Sequence, residues 1–394
     1  MAKKQQLGET SDRDTETEDI SVSLIKQLNK EFGQRVAYNL AEDDAPTIVK
    51  RWIGTGSRQL DYMIRNAAGG GYPEGRVIEI AGLPSTGKSH LAISAAVTVQ
   101  KMGGLVVYID TENATAVDKL EEMGLNIKKQ FVFCETSCTE EVFQIVENTI
   151  IKAKAILSKN VPILVVWDSL AATSPKAELD GDYDQNTVGL QARVISKAMR
   201  KITGVIGHNN VTFMVLNQLR AAIGVMHGDP LITPGGNATP FHASVRVRLS
   251  SGTQIKDKEG NVIGVHVIAT IKKNKLAPPH KKCEFNIIFG YGIVEDEYIF
   301  DKCRSYCADK GAVLLGEDNV VISGTGAWKE LIVSSASTGE VKLEKKFYKN
   351  DFGDVSRDEK YKKYVDAVID ATYVSRSGKP SRDEEDSEVT GEEI

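Results

Sequence analysis

Eight consecutive residues, Gly82 to Ser89, carry the pattern G-x-x-x-x-G-K-S. Glycines let such a loop turn tightly, so that its backbone N–H groups point inward at phosphate oxygens. Lys88 would reach the terminal phosphates, and the Ser89 hydroxyl is a ligand for Mg²⁺. The sequence therefore predicts a nucleoside triphosphate site with Mg²⁺. The whole loop contributes to it: Gly82, Leu83, Pro84, Ser85, Thr86, Gly87, Lys88 and Ser89.

The segments on either side of this loop are of the types that would hold it in place. Arg76 to Ala81 alternates like a β-strand, and His90 to Met102 has the pattern of a buried helix whose dipole would add to phosphate binding. Further strand-like stretches alternate with helical ones, which predicts an α/β fold with a parallel sheet and crossover helices. These stretches are Leu105–Asp110, Phe131–Cys134, Ile163–Asp168 and Val211–Asn217.

Three polar side chains follow strand-like stretches, where ligands of open α/β sheets gather. Asp168 has the Walker B position and would hold Mg²⁺ through water, although a helix N-cap is the alternative. Glu112 could orient and deprotonate an attacking water, or it could be an ordinary loop glutamate. Gln218 could hydrogen-bond a γ-phosphate and relay its presence to the loop that follows.

Two loops and a basic helix are candidates for a polyanion site. Arg220 to Pro240 is a long loop rich in Gly and Pro, and the amides of Gly235 and Gly236 could approach a phosphate chain closely. A second loop, Glu178 to Val188, precedes the predicted helix Gly189–Lys201. That helix places Arg193, Ser196 and Arg200 on related faces that could track phosphates, although an ordinary basic face has the same pattern.

The composition describes a globular protein with polar ends. The 394 residues are 41% apolar, and the net charge of -5 argues weakly against a nucleic-acid partner. Five cysteines, the lack of an apolar leader and the lack of a membrane-spanning stretch favour a reduced, cytoplasmic location. The acidic tail would serve solubility, or it would compete with DNA for basic surfaces of its own protein.

The chain divides by pattern into five parts. Ile20 to Phe32 has helical spacing, and Arg35 to Leu40 resembles a short strand. The predicted parts are a disordered polar arm (1–19), a helix-strand element (20–47), an ATPase core (48–295), a small α/β domain (296–375) and a disordered acidic tail (376–394).

Nine segments resemble the RecA-type recombinases in order and spacing, and the likeness covers roughly residues 20 to 295. The motifs of the long loop and the Lys-Asn-Lys motif are specific, because P-loop ATPases in general do not share them. The segments are Gly82–Ser89, Tyr108–Glu112, Val165–Ser169, Gly189–Arg193, Ala198–Lys201, Asn217–Arg220, Ile223–Met226, Gly235–Ala238 and Lys273–Lys275.

This resemblance implies a RecA-like core with a mostly parallel central sheet, an N-terminal helix and strand for oligomerisation, and a small α/β C-terminal domain. It implies an ATP- and Mg²⁺-dependent homologous recombinase that forms a helical filament on single-stranded DNA. Such a filament binds ATP between subunits, pairs the strand with homologous duplex DNA and exchanges strands in DNA repair. Single-strand-binding and loader proteins would be partners, in the bacterial cytoplasm or in that of a phage host, with no membrane involved.

The resemblance also assigns roles. Lys88, Ser89 and Asp168 would bind phosphate and Mg²⁺, and Glu112 would position water. Gln218 would couple the γ-phosphate to the next loop. Lys273 and Lys275 would reach the ATP of a neighbouring subunit, as an arginine finger does in trans. Phe241 would lie at the subunit interface. The DNA site would contain Arg193, Ser196, Arg200, Gly235, Gly236 and Asn237.

Several positions depart from the family pattern. Pro240 and the pair Ala221-Ala222 stand where basic or longer residues are common, so we expect weaker subunit and DNA contacts there. Ala116, Val117 and Lys119 replace the usual adenine contacts. Uncharged residues stand where relatives hold a second DNA, with Arg248 or Lys272 as substitutes: Ser250, Ile268 and Thr270.

Two other functions share part of this pattern. A ring helicase has the same phosphate loop and Walker B residue but needs no Gly-Gly-Asn loop of this type. A DNA scaffold that binds ATP only to assemble needs no hydrolytic residues, and the intact Lys88, Glu112 and Asp168 argue against it.

Overall fold

A computed structural model describes residues 12–41, 45–113, 115–158, 160–182, 187, 189–221 and 231–374. The chain divides into two compact units, Met1–Lys50 and Arg51–Ile394. Within the described ranges, no helix is both long enough and apolar enough to cross a bilayer. The predicted acidic tail and the motif Ile223–Met226 lie outside these residues.

The first unit contains one long helix, α1 (Asp12–Glu31), which begins earlier than the expected start at Ile20. The residues from Asp12 to Asp19 therefore belong to the first turns of a helix. The predicted disordered arm (1–19) overlaps the start of α1 and stays a prediction, and residues 1–11 lie outside the described part of the chain.

The predicted strand at Arg35–Leu40 is also wrong, since no strand is assigned within the described residues of this unit. The side chain of Asn29 pairs with the segment instead. Its Oδ1 accepts from the backbone N–H of Val36 at 2.7 Å and of Ala37 at 2.8 Å, and its Nδ2 donates to the Ala37 carbonyl at 3.0 Å. A strand needs a second strand to satisfy its backbone, whereas here one amide side chain satisfies these groups.

The second unit contains a large sheet, a smaller C-terminal sheet and helices on their faces. Its elements in chain order are β1 (Trp52–Ile53), α2 (Arg58–Arg65), β2 (Tyr72–Pro73), β3 (Val77–Gly82), α3 (Lys88–Lys101), β4 (Leu105–Asp110), α4 (Val117–Glu122), β5 (Phe131–Glu135), α5 (Thr139–Ile156), β6 (Ile163–Asp168), α6 (Lys176–Leu179), α7 (Leu190–Asn209), β7 (Val211–Gln218), β8 (Arg220–Ala221), β9 (Leu231–Ile232), α8 (Ala238–His242), β10 (Val245–Lys256), β11 (Val262–Asn274), β12 (Lys282–Ile288), β13 (Gly292–Val294), α9 (Asp296–Lys310), β14 (Val313–Leu315), β15 (Asp318–Ser323), β16 (Trp328–Ser335), β17 (Val341–Tyr348), α10 (Phe352–Arg357) and α11 (Glu359–Tyr373).

The central sheet has nine strands in the order β13-β12-β11-β10-β3-β7-β6-β4-β5, and the six from β10 to β5 are parallel. This confirms the predicted α/β fold with a mostly parallel sheet. Apolar side chains are buried on both faces, Ile78 and Ile80 on the face that packs on α3, and Trp167 and Phe213 on the face that packs on α5 and α7. Burial on both faces is typical of parallel sheets covered by helices.

The long loop of the sequence contains more regular structure than its composition predicts. Its ends pair as the short strands β8 and β9, with Arg220 opposite Ile232, and residues 222–230 between them lie outside the described part of the chain. The short helix α8 follows the glycine pair, so Phe241 lies in a helix, four residues before β10 begins.

The C-terminal part forms a four-stranded antiparallel sheet, β14 to β17, packed on α9, α10 and α11 around its own apolar core. Helix α11 contacts α2 through three polar pairs. Asp366 pairs with Arg58, Asp370 accepts from the Tyr62 hydroxyl, and the Tyr373 hydroxyl donates to Gln59 Oε1 at 2.8 Å. The expected boundary near residue 295 falls just before α9 and stays a prediction.

Two carboxylates stabilise the start of α2. The Ser57 hydroxyl caps the helix by accepting from the Leu60 N–H, and it donates to Glu295 Oε2 at 2.6 Å. Asp61 accepts from the Thr55 N–H at 2.8 Å. Burial raises the pKa of Asp61 to about 7, against the hydrogen bonds from Thr55, and the charge of Glu295 raises it further.

This raised pKa predicts a pH-dependent loss of stability. An unfolded aspartate titrates near pH 4, so between about pH 4 and pH 7 the folded protein binds more protons, and stability falls as pH rises. Asp61→Asn keeps an acceptor for the Thr55 N–H but cannot titrate. Between pH 5 and pH 8 we expect the variant to gain about 2 kcal/mol relative to the parent protein in urea unfolding.

Asp309→Asn, at an exposed aspartate of α9, is the control for this measurement. It should show the same small difference at both pH values. A constant difference for Asp61→Asn as well would contradict the raised pKa.

Candidate functional site

The phosphate loop joins the end of β3 to the start of α3. Gly87 has φ +92°, and a Cβ at this position would lie 2.3 Å from Ile287 Cδ1, so only glycine fits. A Cβ on Gly82 would meet Thr86 Oγ1 at 2.4 Å. The first N–H groups of α3 have no acceptor within their own helix, and this loop delivers them to one point, as anion binding at a helix N-terminus requires.

Lys88 is folded back over this loop. Its Nζ donates to the carbonyl oxygens of Gly82 at 3.1 Å and Leu83 at 2.9 Å. Burial lowers the pKa of Lys88, while the nearby carboxylates of Asp168 and Glu112 favour the charged form. The loop therefore holds a cation whose two carbonyl partners phosphate oxygens could replace.

Asp168, at the end of β6, lies against the first turn of α3. Its Oδ2 accepts from the Ser89 hydroxyl at 2.8 Å and from the Tyr108 hydroxyl at 2.6 Å. Burial raises the pKa of Asp168 against these two hydrogen bonds, and a cation would restore its charged form. A hydroxyl and a carboxylate this close fit the oxygen ligands that Mg²⁺ takes, as the sequence predicts.

Glu112 lies just beyond β4, where it meets two other strand ends. Its Oε1 accepts from Gln218 Nε2 at 2.8 Å and from the hydroxyl of Ser169, the residue after Asp168. The carboxylate of Asp110 fixes the turn by accepting from the Glu112 N–H at 2.9 Å. The structure therefore brings the predicted residues Lys88, Asp168, Glu112 and Gln218 together at the carboxyl end of the sheet.

A cavity of about 740 Å³ continues from the phosphate loop along α3. Its far wall includes Lys119, which the sequence singles out, and the aromatic pair Phe289 and Tyr291, which our sequence reasoning missed. These rings are 59% and 80% exposed, and such faces suit stacking on a flat heteroaromatic ring. The sequence feature that indicates this pair is the run Phe-Gly-Tyr-Gly after β12, where aromatic residues alternate with glycines of positive φ.

A histidine lies in the same cavity. Burial lowers the pKa of His90 to about 4, and the charge of Lys119 lowers it further. The ring is therefore neutral at physiological pH and adds no charge beside the phosphate loop.

Lys273 and Lys275 do not join this cluster within one chain. Lys273 Nζ donates to the carbonyl oxygens of Pro240 and Phe241, both at 2.8 Å. Its strand partner Arg246 is paired with Glu79, three residues before Gly82, and a rise of about 3.3 Å per residue places this level about 10 Å below the phosphate loop. Phe241 beside it is 72% exposed. This cationic and aromatic face therefore lies at a different level of the sheet from the chain's own phosphate loop.

The predicted DNA-binding residues lie together. Gly235 and Gly236 pack on α7 so closely that a Cβ would meet Ile195 Cδ1 at 3.0 Å and Ala192 Cβ at 2.9 Å. On the same helix Arg193 and Arg200 are exposed and Ser196 is half-buried, and Asn237 is exposed where α8 begins. Among the positions that depart from the family pattern, Ser250 is exposed, whereas Ile268 and Thr270 are half-buried.

Comparison with known proteins agrees with this geometry. A family model described as the RecA N-terminal domain matches residues 19–294. Protein RecA of Trichodesmium erythraeum is 36% identical over 379 residues, which cover 94% of this chain and 96% of the relative. Protein RecA of Porphyromonas gingivalis is 38% identical over 77% of this chain and 81% of the relative. Protein RecA of Lactobacillus delbrueckii subsp. bulgaricus is 35% identical over 85% of this chain and 93% of the relative.

The matched region contains the phosphate loop, the strand ends that carry Glu112 and Asp168, and the glycine pair that packs on α7, and the identities extend over most of the chain. The chain therefore belongs to the RecA family of DNA recombinases.

Proposed function

We propose that this protein is an ATP-dependent homologous recombinase. It forms helical filaments on single-stranded DNA, pairs that strand with homologous duplex DNA and exchanges strands in recombinational repair. One observation supports this most directly. Strand β7 ends in Gln218, which donates to Glu112, and the same strand leads into the loop that returns to α7 at Gly235 and Gly236. The ATP site and the DNA site thus share one strand.

Each residue of the proposed ATP site would have its own chemical role. ATP with Mg²⁺ would supply the electrophilic γ-phosphoryl group and its neutralising cation. Lys88 and the N–H groups of α3 would hold the phosphates, and Ser89 with Asp168 would hold the metal ion. Glu112 would orient the attacking water and accept its proton. Gln218 can donate to Glu112 or to a phosphate oxygen, and this exchange would free the carboxylate when the phosphate is present.

Exposed apolar and cationic groups support self-association. In the first unit, Ile20, Leu24, Phe32 and Leu40 are each more than half exposed. In the second, the edge strand β5 exposes Val132 and Phe133 at 44% and 45%. Such apolar exposure marks protein interfaces. We propose that these surfaces join neighbouring subunits and that Lys273 and Lys275 supply positive charge to the neighbour's ATP.

The proposed primary DNA site lies on α7 and the glycine pair. Arg193 and Arg200 would bind phosphates, Ser196 and Asn237 would donate or accept hydrogen bonds, and the bare backbone of Gly235 and Gly236 would let a strand approach. The departures at Ser250, Ile268 and Thr270 leave duplex capture to other cations. A cytoplasmic location and partner proteins that load the filament remain predictions.

Joint-molecule formation tests the proposal. A labelled single strand and homologous supercoiled duplex, with ATP and Mg²⁺, should give joints that depend on both homology and ATP. Lys88→Ala should abolish hydrolysis and joints while the circular-dichroism melt stays close to that of the parent protein, because it removes the phosphate-binding cation from a loop whose backbone stays intact.

A heterologous strand is the control for homology. Unwinding of a forked duplex without joint formation would instead indicate a motor, and ATP-dependent strand protection without turnover would indicate a scaffold.

Glu112→Gln should slow ATP hydrolysis by about 10²- to 10⁴-fold, because it removes the proton acceptor. Nucleotide-dependent DNA binding should persist, since the amide oxygen can still accept from Ser169 and Gln218. Steady-state phosphate release and fluorescence anisotropy measure the two effects. Glu122→Gln, in the wall of the cavity beside the phosphate loop, should hydrolyse normally. Near-normal turnover in Glu112→Gln would refute its assignment.

Arg193→Ala should weaken binding to single-stranded DNA several-fold and reduce the slope of log affinity against log salt by about 1, as the loss of one phosphate contact does. Lys201→Ala is the matched control, because Lys201 lies on the same helix but pairs with Glu147 at 2.7 Å. Titrations at several salt concentrations compare them. Equal slopes for the two variants would remove Arg193 from the DNA site.

A further inference from the structure

Four polar side chains lie side by side on one face of the central sheet. They belong to neighbouring strands, Asn217 on β7, Glu79 on β3, Arg246 on β10 and Lys273 on β11. Register places Arg246 opposite both Glu79 and Lys273, and Asn217 two residues beyond the partner of Glu79. Glu79 is fully buried, with 0% of its surface exposed. A buried carboxylate is retained only where donors satisfy it, and here the donors come from both sides.

The two oxygens of Glu79 serve different neighbours. Oε2 accepts from the guanidinium of Arg246, and Oε1 accepts from Asn217 Nδ2 at 3.1 Å. The same Nδ2 donates to the carbonyl of Pro234 at 3.2 Å, at the returning end of the loop that follows Gln218. One carboxylate thus connects the loop on one side with β10 on the other.

The orientation of the Asn217 amide is fixed by these contacts. Glu79 and the Pro234 carbonyl are both acceptors, so the amide nitrogen must face them. Its Oδ1 then stays buried with no hydrogen-bond donor among the described residues. An unsatisfied buried acceptor destabilises the fold, so this arrangement persists because the two bonds of Nδ2 outweigh that cost.

Lys273, at the other side of this network, holds the far end of the segment that begins at Pro234. Lys273 Nζ, on the strand beside Arg246, donates to the carbonyls of Pro240 and Phe241. The segment from Pro234 to Phe241, which carries Gly235, Gly236 and Asn237, is therefore held at one end by Asn217 and at the other by Lys273. Glu79 lies between the two holders.

We propose that Glu79 is a positioning residue that couples the DNA-binding segment Pro234–Phe241 to the ATP site and to the exposed Phe241–Lys273 face. The first connection runs through Asn217, which adjoins Gln218. The second runs through Arg246 and the neighbouring Lys273. This inference rests on the proposed function, because it concerns how DNA binding reaches ATP hydrolysis.

Glu79→Gln tests this with a change of one atom. The guanidinium of Arg246 is the stronger donor and takes the remaining amide oxygen, so the new NH₂ group faces Asn217 Nδ2, donor against donor. The link to Asn217 and Pro234 is then broken, while the phosphate loop, Ser89, Asp168 and Glu112 keep all their contacts.

Glu74→Gln is the matched control. Glu74 is 3% exposed and accepts from Arg51 Nε with both oxygens at 3.0 Å, so it is a second buried glutamate paired with arginine. No hydrogen bond or ion pair joins it to the segment Pro234–Phe241. Any general effect of neutralising a buried, arginine-paired glutamate should appear in both variants.

For each variant we would measure the thermal melt, binding of a fluorescent ADP analogue, hydrolysis without DNA, and hydrolysis with saturating single-stranded DNA. We expect ADP binding and DNA-free hydrolysis in Glu79→Gln within twofold of Glu74→Gln. Stimulation by DNA should fall at least tenfold in Glu79→Gln alone. Stimulation within twofold of the control would overturn the proposal.

Asn217→Ala decides the question if Glu79→Gln does not fold. It removes the link to Pro234 but leaves the Glu79–Arg246 pair intact, and it should lose DNA stimulation to a similar degree. Normal stimulation in Asn217→Ala would overturn the proposal. Parent protein that DNA does not stimulate would contradict the proposed function together with this inference, whereas a stimulated parent with equally stimulated variants would contradict the inference alone.

Discussion

The parallel register of the four neighbouring strands β3, β7, β6 and β4 brings the residues of the candidate site together. Gly82 at the end of β3 lies opposite Gln218 at the end of β7, and Asp110 lies opposite Asp168 on the adjoining pair β4 and β6. A shift of one residue in any of these pairs would turn a buried apolar row toward the wrong face and would carry Asp168 away from Ser89. The same apolar residues that stabilise the sheet therefore also fix the distance between the Ser89 hydroxyl and the Asp168 carboxylate.

Three polar groups of this sheet and its phosphate loop are each held by two hydrogen bonds. Lys88 lies over the carbonyls of its own loop, Asp168 accepts from Ser89 and Tyr108, and Glu79 accepts from two different strands. When a buried charge held in this way loses a single partner, the remaining group is left uncompensated and the protein is destabilised. The polar network is therefore where small chemical changes should alter function before they alter the fold.

The sequence predicts the parts of the site that are local. The phosphate loop is one continuous motif, and Asp168, Glu112 and Gln218 each follow a recognisable strand, so the rule that ligands gather at strand ends places them together. The partners of these groups are less visible. Ser169 contacts Glu112 and Tyr108 contacts Asp168 because β4 and β6 are neighbours. The hydrophobic pattern of the sequence does not determine the order of the strands.

Other features depend on contacts between residues far apart in sequence. Phe289 and Tyr291 line the cavity with α3 because β12 lies three strands from β3, which no local pattern indicates. The helix α8 is five residues long, too short for periodicity to reveal, and Lys273 stabilises it from another strand. The early start of α1 was missed because an acid-rich stretch has the composition of a disordered arm.

The side chain of Asn29 affects the entropy cost of the proposed association between subunits. It fixes the backbone of Val36 and Ala37 before any second chain is present. Ordering one residue's backbone costs about 1–2 kcal/mol of conformational entropy at room temperature, and a segment already ordered by its own helix does not lose that freedom again on docking. If the amino-terminal segment docks on a neighbouring subunit as we propose, this asparagine would let it bind as a preorganised segment rather than as one that must fold as it binds.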